Sequence, residues 1–178
     1  MTQSPAGHTA NLLGALALAV SDRVSVAMAD RSGRSESAAA ALSAIDQFLD
    51  KPSIDRLSQV LGLSQSGTVR LVDRIEEQGL VQRGSGVDAR TTTVQLTPAG
   101  RRVARGLQET RLEILEGFLQ PLSGGERRAL DALIGRVLVG MMREPGATRW
   151  TCRLCDLSAC GRPAGHCPLE REARRRYG

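Results

Sequence analysis

Apolar side chains recur from Ala10 to about Ala29 as Leu12, Leu13, Leu16, Val20, Val24 and Met28. That three-and-four spacing places them along one face of a helix. A Ser/Arg/Gly break at Arg31–Ser35 separates this segment from a second predicted helix, Ser37–Leu49. Pro52 ends the second helix, and Ser53 is placed to cap a third that runs to about Val60. Gly62-Leu63 then reads as a tight turn, with Ser64 capping a fourth helix to Gln78. Helix, three-residue turn, helix is the pattern of a helix-turn-helix. On the fourth helix Val69, Val72 and Ile75 are expected to face inward, while Ser66, Arg70 and Arg74, spaced by four, face outward.

Past Gly79 the period changes from helical to alternating. Leu80–Arg83 reads as a short strand, Gly84-Ser85-Gly86 as a tip, and Thr91–Leu96 as a second strand rich in β-branched residues. Two strands joined by a glycine-rich tip directly after a helix-turn-helix make a wing. Thr97-Pro98 opens a long helix, with proline at the first position where its missing N–H costs nothing. Ser123 and Glu126 form a capping box for a last helix bearing Leu130, Leu133, Ile134, Val137, Leu138 and Met141, which Glu144-Pro145-Gly146 ends. The predicted class is mainly α with a small β-wing: a winged helix-turn-helix with a helical dimerisation region over residues 10–142, and a C-terminal cysteine-cluster tail over 143–178.

Composition changes this picture in two respects. With two Phe, one Tyr and one Trp, the core must be filled by Leu, Val, Ile and Ala, which suits helices. The net charge of +5 favours a polyanionic partner only mildly, so the DNA argument rests on where the arginines lie. The apolar stretch Leu12–Val20 is far shorter than the roughly 20 residues of a membrane span. Met1–Ala10 lacks the basic start of a secretory signal. The expectation is a cytoplasmic protein with no membrane partner.

The run from Leu57 through Leu63-Ser-Gln-Ser-Gly-Thr-Val-Arg70 to Gly79-Leu80-Val81, and above all Asp88-x-Arg90 followed by Val94-x-Leu96-Thr97-x-x-Gly100, resembles the MarR family of winged helix-turn-helix regulators. The resemblance covers about residues 10 to 142. It implies a homodimer with interlocking terminal helices, a pseudo-palindromic operator in double-stranded DNA, and repression relieved by a ligand or oxidant. It also implies that Arg90 enters the minor groove from the wing, braced by Asp88, where a narrow groove attracts arginine. At the start of the fourth helix, Ser64, Gln65 and Ser66 are placed to meet phosphate. Gln65 can also pair with an adenine edge, Arg70 can take a guanine or a phosphate, and Arg74 is placed for the backbone.

The tail departs from that family pattern. Cys152, Cys155, Cys160 and Cys167, spaced C-x2-C-x4-C-x6-C and followed by Pro168, are the only cysteines in the chain. Four clustered thiols point to one site. An iron–sulfur cluster is the leading reading, because thiolates with a local C-x2-C and a following proline suit it. Zinc, with His166 as a spare ligand, is the alternative, and a metal-free thiol switch is the third. Trp150 is expected either to cover the site or to anchor the tail to the last helix, and Arg153, Asp156 and Arg162 to be solvated charges. A dithiol oxidoreductase would need its C-x2-C at a helix start in a βαβ context, and His8 and His166 have no nucleophile-and-orienter arrangement, so no enzyme is expected. Two other functions stay open: a ligand-responsive repressor with a structural zinc tail, and a zinc-stapled protein-interaction adaptor.

Overall fold

The computed structural model of the chain describes residues 5–32, 35–86, 91–142 and 150–177. Its elements are α1 (Pro5–Ser32), α2 (Glu36–Gln47), α3 (Ile54–Leu61), α4 (Gln65–Glu77), β1 (Val81–Ser85), β2 (Thr92–Leu96), α5 (Pro98–Leu119), α6 (Gly124–Gly140) and α7 (Pro168–Tyr177). Local sequence sets most of the boundaries. Ser53, Ser64, Thr97 and Ser123 each accept a hydrogen bond from a backbone N–H of the first helical turn. Each such cap is worth about 1 kcal/mol. Ser123 and Glu126 close the capping box in both directions. Ser35 caps α2, so that helix begins one residue earlier than its apolar pattern suggests.

Helix α2 is the hub. Every residue from Ala38 to Ile45 is buried, and the alanines let α1, α4 and α5 approach its backbone. Its one buried hydroxyl, Ser43, accepts a hydrogen bond from Gln108 Nε2 of α5 at 3.1 Å. The core continues through Leu57, Val60, Leu71, Val72, Ile75, Val81, Val94 and Leu107. On α4 the inward positions are Thr68, Leu71, Val72 and Ile75. Val69, expected inside, is 38% exposed. The Thr68 hydroxyl takes the inward place because it donates to the Ser64 carbonyl at 3.1 Å and so carries no unpaired polar group into the core.

β1 and β2 pair antiparallel with Val81 opposite Leu96 and Ser85 opposite Thr92. Gly84 and Ser85, expected at the tip, continue the strand. β2 is also held from the other side, where the Val94 N–H donates to the Pro52 carbonyl at 2.9 Å. At the start of α5 the Thr97 hydroxyl donates to the Gly79 carbonyl at 2.7 Å and accepts from the Gly100 N–H at 3.0 Å. A β-carbon on Gly100 would fall 1.9 Å from the Leu80 carbonyl oxygen, so this contact requires glycine.

Two helices keep an apolar face that the other described residues leave uncovered. α1 exposes Leu12, Leu13, Leu16, Leu18 and Val26, and α6, none of whose residues is buried, exposes Leu133, Ile134 and Val137, with Met141 exposed at its C-cap. α1 also starts well before the expected Ala10. Over Ala6–Ala29 it is long and apolar enough to cross a bilayer by length and composition, which the shorter apolar stretch did not indicate. Its C-terminal half, however, inserts Val24 and Met28 into the main core.

Candidate nucleic-acid interface and cysteine site

Helix α4 presents Ser66, Arg70 and Arg74 as an exposed row, with Gln65 exposed beside it. The Ser64 hydroxyl accepts from the Gly67 N–H at 3.1 Å, so it serves first as the helix cap. The amides of Gln65 and Ser66, ahead of the first intrahelical bond, remain at the positive end of the helix dipole. The structure therefore brings Gln65, Ser66, Arg70 and Arg74 to one surface. Asp88 and Arg90 lie outside the described residues.

One group at this surface escaped the sequence reading. Arg83 on β1 sends Nη2 to Asp73 Oδ1 at 2.6 Å and Nη1 to Glu76, and its own N–H donates to Glu76 Oε1 at 2.9 Å. These contacts tie the wing's first strand to α4. The signal in the sequence was a pair of acids three apart on α4 followed by a lone arginine in a strand.

The cysteines form a second centre. The Cys155 N–H donates to the Cys152 carbonyl at 2.9 Å, and that tight turn sets both thiols side by side. Asp156 Oδ1 then accepts from the Ser158 and Ala159 N–H groups at 2.7 and 3.0 Å. Gly161 and Gly165, both at positive φ, turn the chain back, and the His166 N–H donates to the Gly161 carbonyl at 2.9 Å. Cys152 and Cys167 are buried with Met142 and Leu169, and Cys155 and Cys160 pack against them. Arg162 pairs with Glu170 of α7 at 2.6 Å and so locks the segment to that helix.

All four cysteines are free thiols. Cys152 is hydrogen-bonded to Cys155 and Cys160 to Cys167, and the two pairs are near enough to act on each other electrostatically. The hydrogen bond from Cys152 lowers Cys155 to about 6 against the opposing effect of burial, with Arg111 and Arg162 adding to the fall. Cys152 moves up, through its hydrogen bond to Cys155 and then through burial. Burial, then the hydrogen bond to Cys167, pushes Cys160 up to about 12. The all-sulfur donor set suits a soft metal or an iron–sulfur cluster. Among the described residues, no group of three or more His, Cys, Asp or Glu side chains converges as a metal-holding set. The arrangement is two thiol pairs side by side.

Several expectations about the tail need correction. The Trp150 ring lies against Gly62 in the turn between α3 and α4, a seat that neither expectation included. Arg153, Asp156 and Arg162 are not free solvated charges. Arg153 stacks on Trp150 with Cζ 3.9 Å from the ring centroid, Asp156 holds the turn amides, and Arg162 is paired with Glu170. Asp156 and Arg153 find their partners two or three residues away, Arg162 finds its own within the tail, and only the seat of Trp150 on Gly62 depends on long-range docking.

Comparison with known proteins agrees with this geometry. Residues 32–91 match the model of the MarR family. The chain is 36% identical over 95 residues to YfiV of Bacillus subtilis strain 168, an uncharacterized HTH-type transcriptional regulator. That match covers 51% of this chain and spans 59% of the relative's length. Among solved structures, a MarR family protein from Bacillus stearothermophilus superposes with a TM-score of 0.70 at 22% identity, covering 80% of this chain and 99% of the other. MepR of Staphylococcus aureus, in its complex with DNA, superposes with a TM-score of 0.59 at 14% identity, covering 74% and 97% of the two chains. The chain has the winged helix-turn-helix fold of the MarR family, extended by a cysteine-containing C-terminal segment.

Proposed function

We propose that this protein is a cytoplasmic transcriptional regulator, a repressor, that binds a pseudo-palindromic site in duplex DNA as a homodimer. The observation that carries this reading is the exposed row Ser66–Arg70–Arg74 on α4, set beside a wing that Arg83 ties to the same helix. Arginines on such a helix can meet phosphates and base edges of one groove while the wing reaches the next. That MepR, which shares the fold, has been solved with DNA supports the assignment. The fold family is non-catalytic, and the chain is not an enzyme.

The uncovered faces of α1 and α6 are the surfaces we assign to the second copy. Burying large apolar patches of this kind is the usual reason for a stable two-fold interface. We read α1 as part of that interface and not as a membrane span, because Val24 and Met28 root it in the core.

For the cysteines we propose an iron–sulfur cluster held by Cys152, Cys155, Cys160 and Cys167, which makes DNA binding responsive to redox state, nitric oxide or iron. Such a cluster supplies reversible electron uptake and sensitivity to oxidants. The residues around it supply burial, through Met142 and Leu169, and positive charge, through Arg111 and Arg162. The experiment is anaerobic purification with iron, sulfide and zinc analysis, alongside duplex binding across a salt series. Brown protein with iron and sulfide, and affinity falling steeply with salt, support the reading. Colourless protein with one zinc per chain assigns a structural staple in its place.

A further inference from the structure

The cysteine segment is docked on the part of the fold that reads DNA. Trp150, two residues before Cys152, packs on Gly62, the left-handed residue that ends α3 and starts the turn into α4. A β-carbon at Gly62 would meet the Trp150 ring at 2.6 Å, and the φ of +63° independently favours glycine. Arg153 keeps the ring in place by stacking on it and by donating from Nη1 to the Trp150 carbonyl at 3.0 Å.

Beyond the thiol turn the chain is anchored again. Leu154 packs on the main core, and the Leu157 N–H donates to Gln47 Oε1 at 2.9 Å. Gln47 Nε2 donates to Gln108 Oε1 at 3.0 Å, and Gln108 Nε2 donates in turn to buried Ser43. The Cys152–Cys155 turn is thus bracketed by one contact to the helix-turn-helix and one to the α2–α5 hub. Any change in the partners of these two thiols alters the turn that spaces the two anchors. A tilt of about 5° at Gly62 would move a side chain some 14 Å along α4, the distance to Arg74, by about 1 Å.

We infer that Trp150 and Gln47 transmit the state of the cysteines to the reading helix within a single chain, through the α3–α4 turn. The inference rests on the reading of α4 as the DNA-contacting helix. It makes Trp150 and Gln47 positioning residues that need touch neither DNA nor the cysteine-bound group. The route lies within one chain and needs no change in the spacing between two protomers.

The test uses the full chain and a duplex that this chain has selected from a random pool. The thiols are compared as purified and after reaction with 4-hydroxymercuribenzoate, which takes thiolates whether or not they hold metal. Duplex affinity and amide hydrogen exchange over residues 62–68 are the two readouts. In the wild type, the mercurial should change affinity by about fivefold or more and alter exchange at the turn. Trp150→Ala and Gln47→Ala leave every cysteine in place and should each reduce the affinity response to below about twofold, and Trp150→Phe should restore it. Equal responses in the wild type and both variants would overturn the inference. Exchange at residues 62–68 that ignores the mercurial would overturn it as well, and that readout needs no DNA. A chain that binds no duplex but shows the exchange change would defeat the DNA reading alone, leaving the contact between cysteine state and turn in force.

Discussion

Arg83 Nη2 stands 2.6 Å from Asp73 Oδ1, and through this contact the wing and helix α4 hold each other's orientation. Glu76 engages the same guanidinium and also accepts from the Arg83 N–H at 2.9 Å, so two acids of one helix grip one residue of the strand. Both acids and the arginine are partly exposed, and ion pairs of this kind contribute about 0–1 kcal/mol to stability. In the proposed function their value lies in geometry, since α4 and the wing would have to reach adjacent grooves together.

Arg83→Ala should therefore leave the urea unfolding midpoint nearly unchanged, with a loss of at most about 1 kcal/mol. Duplex affinity should fall by about tenfold, because the wing's reach is no longer fixed relative to α4. Affinity equal to wild type at low and high salt would show that the wing needs no such brace.

Gly100→Ala should act on stability. The added carbon has no room beside the Leu80 carbonyl, where it would sit 1.9 Å from the oxygen. Overpacking against backbone costs about 1–3 kcal/mol or more. Chemical denaturation of wild type and variant reads this directly, and a midpoint unchanged within error would contradict the close approach of α5 to Leu80.

Arg70→Ala and Arg74→Ala should part company. Both side chains are exposed on α4, but Arg70 lies nearer the helix start, where base edges are reached. Loss of Arg70 should cost about 1–3 kcal/mol of binding and relax sequence preference at one position of each half-site. Loss of Arg74 should weaken all duplexes alike and reduce the salt slope by about one unit. Binding to a panel of single-base variants separates the two, and a uniform loss for Arg70→Ala would move that residue to the phosphate class.

Features set within four or five residues were legible in the sequence. Ser53, Ser64, Thr97-Pro98 and the Ser123–Glu126 box all mark true helix starts, and the outward row on α4 follows from helical period alone. At Val69 an apolar side chain alone was a poor guide to burial. Thr68 goes inside because its hydroxyl is satisfied within the helix. Arg83, Gln47 and Trp150 were illegible for another reason. Their partners lie 7 to 110 positions away, so only the assembled fold reveals them. The cysteine spacing pointed to a single site, and the structure sets the thiols as two neighbouring pairs, but the spacing gave no sign of where the segment would dock.

In the reduced, metal-free chain, Cys155 should be the first thiol to react with iodoacetamide at pH 7. The hydrogen bond from Cys152 stabilises its thiolate and lowers it to about 6, whereas burial pushes Cys160 up to about 12. The thiolate is the nucleophile, so the Cys155 rate should fall as pH drops through about 6 and level off above it. Peptide mapping of a brief reaction identifies the modified residue, and Cys160 reacting ahead of Cys155 would refute this ordering.

With α1 and α6 assigned to a two-fold interface, the chain should be a dimer in detergent-free buffer at micromolar concentration. Leu133→Glu, on the exposed face of α6, should shift the chain toward monomer while the far-ultraviolet helical signal stays intact. Light scattering decides, and a wild-type monomer at these concentrations would remove the second copy from the account.

Two copies of this fold reading duplex DNA together would leave a two-fold signature in the sequences that the full chain selects from a random duplex pool. Selection should enrich an inverted repeat whose half-sites lie about one helical turn apart, at about 10–10.5 base pairs centre to centre. Failure to enrich any sequence over successive rounds at low salt, with the protein shown to be folded, would contradict it.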